Sequence, residues 1–398
     1  LVYFTSGVSV AASQHAQEQL TLPSILPGLL HTHTAVHASV QSDNLAESVA
    51  AIIFTSGTTG QPKGVMLTHA GLLQFAKVSS QSRLLGKADR SYAYLPMTHI
   101  FGLGTVLMAS IYARSGLLMR SQFEAADVFE ALARHGMTQL QGPPAMFSRL
   151  LAWLDTQGIE HPVAPDLRYV YTGAAPLDLS VKNAVQTRFG LPLHHGYGLS
   201  EYAGALTLCR FGEWRDDVSA GYLVEGAELR IVSPEGCDLP HGETGEIYMR
   251  GVGLMPGYFR DPDITEQVMK PGGWYASGDL GRQSADGALQ VVGRLKEMII
   301  RSGFNVYPGE VEAVLLNYPG VQKAAVIGRK TADGNEEILA FVEPKFGIEI
   351  DASALQSHAH THLTAYKRPS VITVVAEMPM TLSGKILKRE LLQRISDD

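Results

Sequence analysis

The segment Phe54-Thr55-Ser56-Gly57-Thr58-Thr59-Gly60-Gln61-Pro62-Lys63-Gly64 carries the strongest chemical signal in the chain. Hydroxyl side chains alternate with glycines directly after a short apolar run. Glycines let a backbone approach a polyphosphate, and amide N–H groups with Ser/Thr hydroxyls can cradle its oxygens. Lys63 can add a point charge. The order of residues is not that of a Walker loop, which needs Gly-Lys-Ser/Thr. Further along, Gly173-Ala174-Ala175-Pro176 is small and flat, suited to a purine face. In Gly196-Tyr197-Gly198-Leu199-Ser200-Glu201, Tyr197 offers a ring for stacking. Glu201 offers a carboxylate that can hold Mg²⁺ between protein and phosphate. Thr55 is a candidate second contact to the metal. Asp279 follows Gly278, which leaves its carboxylate able to accept from two ribose hydroxyls. Lys385 lies in a glycine-containing loop just before a basic helix. Plain alternatives stand beside these: a core aromatic for Tyr197, an exposed helix-start residue for Glu201, a turn residue for Asp279 and a surface lysine for Lys385. Two histidine groups, His31/His33/His37 and His358/His360/His362, are not expected to bind metal. The first lies in poorly patterned sequence, and on a helix i and i+2 do not share a face.

The elements that must position these residues are those of an α/β protein. Short apolar runs at 50–54, 167–171 and 193–197 each stop at a small-residue loop, which predicts loops gathered at one sheet edge, where open α/β sheets bind ligands. Glu228 to Val232 and Glu246 to Arg250 predict antiparallel strands around a turn-rich stretch. Leu103 to Met119, broken by Arg114, predicts a buried helix and not a membrane span, and no uncharged apolar run reaches spanning length. After Gly293 the pattern changes to strand, a helix opened by Pro308, two strands, a helix capped by Asp351, a strand and a basic helix. The predicted architecture is therefore a large domain, 1–295, of mixed and parallel sheets flanked by helices, with a small antiparallel strand region. A small mobile α+β domain, 296–398, follows it. The opening Leu-Val-Tyr-Phe has the look of a strand already under way, so a missing front portion is an expectation.

Composition narrows the function. The chain has 398 residues, is 45% hydrophobic and 18% charged, and carries a net charge of -7. That balance argues against a broad nucleic-acid surface, which needs positive charge to displace counterions. With only Cys209 and Cys237, two reduced thiols in a cytoplasmic protein are expected in place of a disulfide framework.

Taken in order, the motifs resemble those of the adenylate-forming superfamily of acyl- and aryl-CoA synthetases, peptide-synthetase adenylation domains and firefly-type luciferases. Beyond the segments above, the resemblance is carried by Leu95-Pro96-Met97-Thr98-His99-Ile100-Phe101-Gly102, Gly242-Glu243-Thr244-Gly245-Glu246, Tyr275-Ala276-Ser277-Gly278-Asp279-Leu280, Gly293-Arg294-Leu295-Lys296-Glu297 and Leu382-Ser383-Gly384-Lys385. It extends from about Ala50 to the end; Ser277 replaces the usual Thr and keeps the hydroxyl. It implies ATP as substrate, Mg²⁺ on Glu201, phosphate contact by Ser200, a second nucleotide contact by Arg294 and a catalytic Lys385. It implies Lys296 as a hinge, Ser302-Gly303-Phe304 along a thiol tunnel, and His99 between that tunnel and the acyl pocket. Coenzyme A is the expected acceptor because no carrier domain follows Asp398; a separate carrier protein is the alternative, and a homodimer is a candidate assembly. Pro144, Met146 and Phe147 are expected as apolar pocket walls, with the small residues around Gly204 leaving a deep floor. No Arg or Lys stands in these segments, which favours a fatty or aromatic monocarboxylate over malonate-like acids. A truncated relative that only binds nucleotide is the rival from another class.

Overall fold

A computed structural model describes residues 2–4, 46–55, 62–331, 335–345, 347–380 and 386–396. A three-stranded sheet holds β1 (Val2–Phe4), β2 (Val49–Thr55) and β3 (Lys63–Thr68), with β1 parallel and β3 antiparallel to β2. Thr68 then caps α1 (His69–Ser82), its hydroxyl accepting from Gly71 N at 3.0 Å. A seven-stranded sheet follows, built from β4 (Arg90–Ala93), β5 (Gly116–Met119), β6 (Gln139–Gly142), β7 (Tyr169–Thr172), β8 (Leu193–Leu199), β9 (Gly204–Leu208) and β10 (Tyr222–Leu223). Their order is β10-β9-β8-β7-β6-β4-β5; β4 to β8 pair in parallel, and β9 and β10 close the edge in antiparallel fashion.

Both faces of the parallel strands are covered, as such strands require. Helices α3 (Ala125–Arg134), α4 (Pro144–Thr156) and α5 (Leu179–Phe189) are part of the core on one face, with Val128, Leu132, Phe147, Leu150, Val170 and Val185 almost wholly buried. Proline at the first position starts α4, and Gly190 in the left-handed conformation ends α5. The other face meets α1 and a π-helical stretch, Phe101–Met108, that runs into the short α2 (Ala109–Ala113). Here the expected buried helix over 103–119 is corrected. Arg114 takes a φ of 58° and stops the helix, and Gly116–Met119 becomes the edge strand β5. Gly102 allows the wide turn to press on the chain before it: a Cβ there would lie 2.2 Å from Pro96 O.

The antiparallel region is a five-stranded sheet of β11 (Ala227–Val232), β12 (Gly245–Gly251), β13 (Met269–Lys270), β14 (Trp274–Gln283) and β15 (Leu289–Arg294), with α6 (Pro262–Val268) at its side. The expected pairing of 228–232 with 246–250 is present in register. A short 3₁₀ turn, Leu295–Glu297, leads to the hairpin β16 (Ile299–Arg301) and β17 (Phe304–Val306). The rest comprises α7 (Pro308–Leu316), β18 (Val321–Lys330), β19 (Glu336–Pro344), α8 (Ala352–His362), β20 (Val371–Val374) and α9 (Lys388–Ser396), around their own core of Val311, Leu315, Val326, Ala340 and Leu355. Among the described residues no helix is long and apolar enough to cross a membrane.

Candidate active site

Two strands from different sheets bring the first group of side chains together. β8 leaves the parallel sheet to pair with β9, and this places Tyr197 beside β14. The Tyr197 hydroxyl donates to Asp279 Oδ2 at 2.7 Å, and Arg294 Nε lies 3.2 Å from Asp279 Oδ1. Asp279 and Arg294 are direct partners in the β14–β15 ladder. Gly278, at φ 70°, makes the turn before Asp279, and Ser277 Oγ accepts from Asp279 N at 3.0 Å. The hydroxyl thus fixes the backbone of the aspartate. Both carboxylate oxygens are already oriented by a donor, and each keeps lone-pair capacity for one more. Burial and the Asp279 charge push the Tyr197 phenol well above its ordinary range, so it stays protonated and remains a donor.

Next to this group stands Glu201, in a 3₁₀ turn just after β8. Its Oε1 accepts from Tyr258 Oη at 2.9 Å, and Tyr258 Oη lies 3.3 Å from Tyr275 Oη. Among the described residues no cation forms an ion pair with Glu201, and burial raises its pKa, with Asp279 adding to the effect. Lys63 Nζ sits 5.2 Å from the centre of the Tyr258 ring. Its partner across the β2–β3 ladder is Thr55, so both ends of the hydroxyl- and glycine-rich loop are anchored in one hairpin. Ser56, Gly57, Thr58, Thr59 and Gly60 lie outside the described residues. Tyr258 and Tyr275 were missed by sequence reasoning. Tyr258 touches Glu201 and Tyr275 stands behind it, a chain of contacts from distant segments, and only the Tyr275 motif carried a signal.

The flat segment behaves as its composition suggests. Gly173 is buried; a Cβ there would come within 3.1 Å of Tyr171 Oη, and one on Gly196 within 2.6 Å. Both glycines therefore make room for the same phenol. Ala174 adopts a φ of 67°, a conformation that costs a non-glycine residue about 1 kcal/mol or more. Ala174 and Pro176 are exposed and Ala175 is half-buried; the buried His195 imidazole, its Nδ1 3.1 Å from Val218 O, has its pKa pushed down by burial to about 4. Gly198 is exposed; a Cβ there would meet Gly204 O at 2.1 Å. Ser200 is buried.

On the acyl side, His99 accepts a hydrogen bond from Phe101 N at its Nδ1, 3.1 Å away. It is accessible to solvent yet surrounded by protein on its other sides, and the lost solvation lowers its pKa. Two expectations are corrected. Phe147 is 0% exposed and belongs to the core between α3, α4 and the sheet, so it does not form an open wall. The depth expected at Gly204 is filled: a Cβ there would lie 2.2 Å from the Phe75 ring, which also crowds Gly104 at 2.6 Å. Small residues on β9 and the π-helix serve to admit an α1 phenylalanine.

In the last hundred residues, Lys296 is exposed in the 3₁₀ turn. Ser302 and Gly303 both have positive φ, 52° and 80°, and form the two-residue turn of the β16–β17 hairpin. Phe304 is exposed and stacks on Tyr366 at 4.7 Å. Lys385 lies outside the described residues. Just after it, Lys388 at the start of α9 is held between Glu297 Oε2 (3.1 Å) and Glu312 Oε1 (2.8 Å).

The grouping of Tyr197, Asp279, Arg294 and Glu201 beside the β2–β3 hairpin, on this α/β chain, fits the class of adenylate-forming enzymes, and the family comparisons agree. The family model described as AMP-binding enzyme matches residues 6–259, and that of the AMP-binding enzyme C-terminal domain matches 310–385. The chain belongs to the AMP-binding enzyme family. It is 34% identical to a sulfoacetate–CoA ligase of Cupriavidus necator over 92% of its own length and 71% of the relative's. It is 33% identical to a 4-coumarate:CoA ligase of Petunia hybrida over 92% of its length and 68% of that protein. Among solved structures, ATP-bound MatB from Rhodopseudomonas palustris superposes with a TM-score of 0.83 at 29% identity, covering 88% of this chain and 69% of that one. The o-succinylbenzoate CoA synthetase MenE of Bacillus subtilis, with ATP and magnesium, gives 0.78 at 28% identity, covering 87% and 70%.

Proposed function

We propose that Tyr197, Asp279 and Arg294 hold the adenosine of ATP, that Glu201 serves its phosphates through magnesium, and that Lys385 is brought to the reacting centre by a turn about Lys296. The chain is an AMP-forming acid–coenzyme A ligase. In the first step the acid's carboxylate oxygen attacks the α-phosphorus of ATP, forming acyl adenylate as pyrophosphate leaves. In the second, the sulfur of coenzyme A attacks the acyl carbon, AMP leaves, and the thiol proton passes to solvent or base.

The observation that carries the residue assignment is the double-donor grip on Asp279. A carboxylate so oriented, with lone pairs still free, suits a vicinal diol. Glu201 fits Mg²⁺ by its chemistry: a half-buried hard oxygen ligand without an ion-pair partner among the described residues. Bound there, the ion would neutralise charge on the phosphate oxygens. Neutral His99 can line the acyl pocket without adding charge. The filled floor at Gly204 leaves little room there for a long chain. Ser302, Gly303 and Phe304 take the pantetheine side in this reading. The enzyme works in the cytoplasm, where ATP and coenzyme A are available; its two cysteines are free thiols.

Lys385→Ala tests the assignment. Pyrophosphate release from ATP and acid should fall by roughly 100-fold or more, while thioester formation from supplied acyl adenylate survives. Equal loss in both half-reactions would make Lys385 structural. Acyl adenylate that discharges only to a carrier protein, never to free coenzyme A, would overturn the acceptor.

A further inference from the structure

Residues 255–259 form a strap between Glu201 and the β2–β3 hairpin. At one end Met255 N donates to Glu201 O at 2.8 Å, which holds the backbone of the glutamate. At the other end the strap adds to β3, the edge strand of its sheet. Tyr258 bridges Val65 in antiparallel fashion, Met66 N donates to Gly257 O at 3.2 Å, and Phe259 N donates to Gly64 O at 2.7 Å. β3 itself begins at Lys63, directly after the hydroxyl- and glycine-rich stretch of sequence. Helix α6 pins the strap as well: Thr265 Oγ1 accepts from Tyr258 N at 2.9 Å. Gly257 is needed for that approach, since a Cβ there would lie 2.8 Å from the Thr265 methyl group.

The side chain of Tyr258 is 5% exposed and points from this strap to Glu201. An ionised carboxylate can only accept, so the single phenolic proton of Tyr258 is committed to Glu201 Oε1 at 2.9 Å. The 3.3 Å contact between the two phenols then carries the Tyr275 proton toward the Tyr258 oxygen. Two hydroxyls in series, both donating toward the carboxylate, polarise each other. The ring of Tyr258 also has Lys63 Nζ 5.2 Å from its centre. Among the described residues no other side chain donates to the Glu201 carboxylate. Without this phenol nothing but the broad torsion of its terminal bond would set the plane of the glutamate. Magnesium demands close to octahedral geometry and gives up its waters reluctantly, so it rewards a ligand that is already aimed.

We propose that Tyr258 is the positioning residue of Glu201. By holding Oε1 it fixes the plane of the carboxylate and leaves the other oxygen for the ion. Through the strap it keeps that oxygen in a set relation to Lys63 and its hairpin. The proposal rests on the reading of Glu201 as the residue that serves ATP through magnesium. Tyr258 itself touches neither metal nor nucleotide; it acts through Glu201, with Tyr275 behind it, as the outer partners of metal ligands do.

The probe is α,β-methylene ATP, which cannot release pyrophosphate. Its Kd, measured by calorimetry with EDTA and with saturating magnesium, gives the gain in affinity that the ion supplies. In Tyr258→Phe the Kd with EDTA should stay as in the wild type, while the gain falls by about tenfold. Glu201→Gln should lose the gain, and Tyr258→Phe added to it should change nothing further, because the phenol acts only through that carboxylate. In turnover, the magnesium needed for half-maximal ATP–pyrophosphate exchange should rise in Tyr258→Phe by more than the rate at saturating magnesium falls. A wild-type gain in Tyr258→Phe overturns the proposal. So does equal weakening with EDTA and with magnesium, which would make Tyr258 a packing residue of the core, and so does a Tyr258→Phe effect of undiminished size in the Glu201→Gln background. Should Tyr258→Phe fail to fold, Tyr275→Phe decides: its gain must fall below that of the wild type, and an unchanged gain overturns the proposal. A wild type without any gain, or a Glu201→Gln protein that keeps it in full, by contrast overturns the reading of Glu201 beneath it.

Discussion

Glu201 titrates from a raised pKa, and the sign of that shift has two effects. The ionised form is the one that can hold a divalent cation. It is lost as pH falls through a value above the ordinary carboxylate pKa of about 4.3. The magnesium concentration needed for pyrophosphate exchange should therefore climb from neutral pH toward mild acid, and Glu201→Gln should need high magnesium at every pH. Identical pH responses in the two proteins would remove Glu201 from the metal site. Stability moves the other way: the folded state binds this proton more tightly than the unfolded chain, so this one group stabilises the fold as pH falls. At this scale the sequence was informative where one residue's neighbours in the chain define its setting. Asp279 stood out from the Gly278 before it and from the motif Tyr275-Ala276-Ser277-Gly278-Asp279-Leu280. Tyr258, 57 residues from Glu201, depends on a contact that no local spacing encodes.

Among the elements, α1 is the one whose importance the pattern concealed. Its Thr68 cap and its apolar face are ordinary, yet Phe75 fills the crowded space between Gly104 and Gly204. Gly204→Ala should cost about 2 kcal/mol through overpacking and through its φ of 142°. Phe75→Leu added to it should recover the steric part and not the backbone part. Denaturant melts of the single and double variants measure the coupling; strict additivity would show that Phe75 and Gly204 do not compete for one space. Elements with their own punctuation were readable from sequence. Pro308 opens α7 and Asp351 caps α8, its carboxylate accepting from Ser353 N at 2.8 Å. The stretch after Leu103 was not, because nothing in its composition separates a helix that ends at Arg114 from one that continues, and the edge strand β5 owes its state to pairing with β4.

For the whole molecule, the change of pattern near Lys296 coincides with the 3₁₀ turn between β15 and β16. Lys296→Pro would fix φ near -65° there, and under the proposed hinge it should spare adenylation and abolish thioester formation. Single-turnover measurement of each half-reaction, with a melting curve as control, checks this; parallel loss of both in a folded variant would leave Lys296 a residue of a rigid linker. The triangle of Lys388, Glu297 and Glu312 bears on the same motion. Glu297 is the last residue of the turn, Glu312 belongs to α7, and Lys388 stands three residues beyond Lys385 in sequence. One ammonium thus rivets the turn, α7 and the start of α9 together. Under the proposed hinge, torque applied at the turn would be shared by α7 and the start of α9, and loosening the rivet would let one lag behind the other.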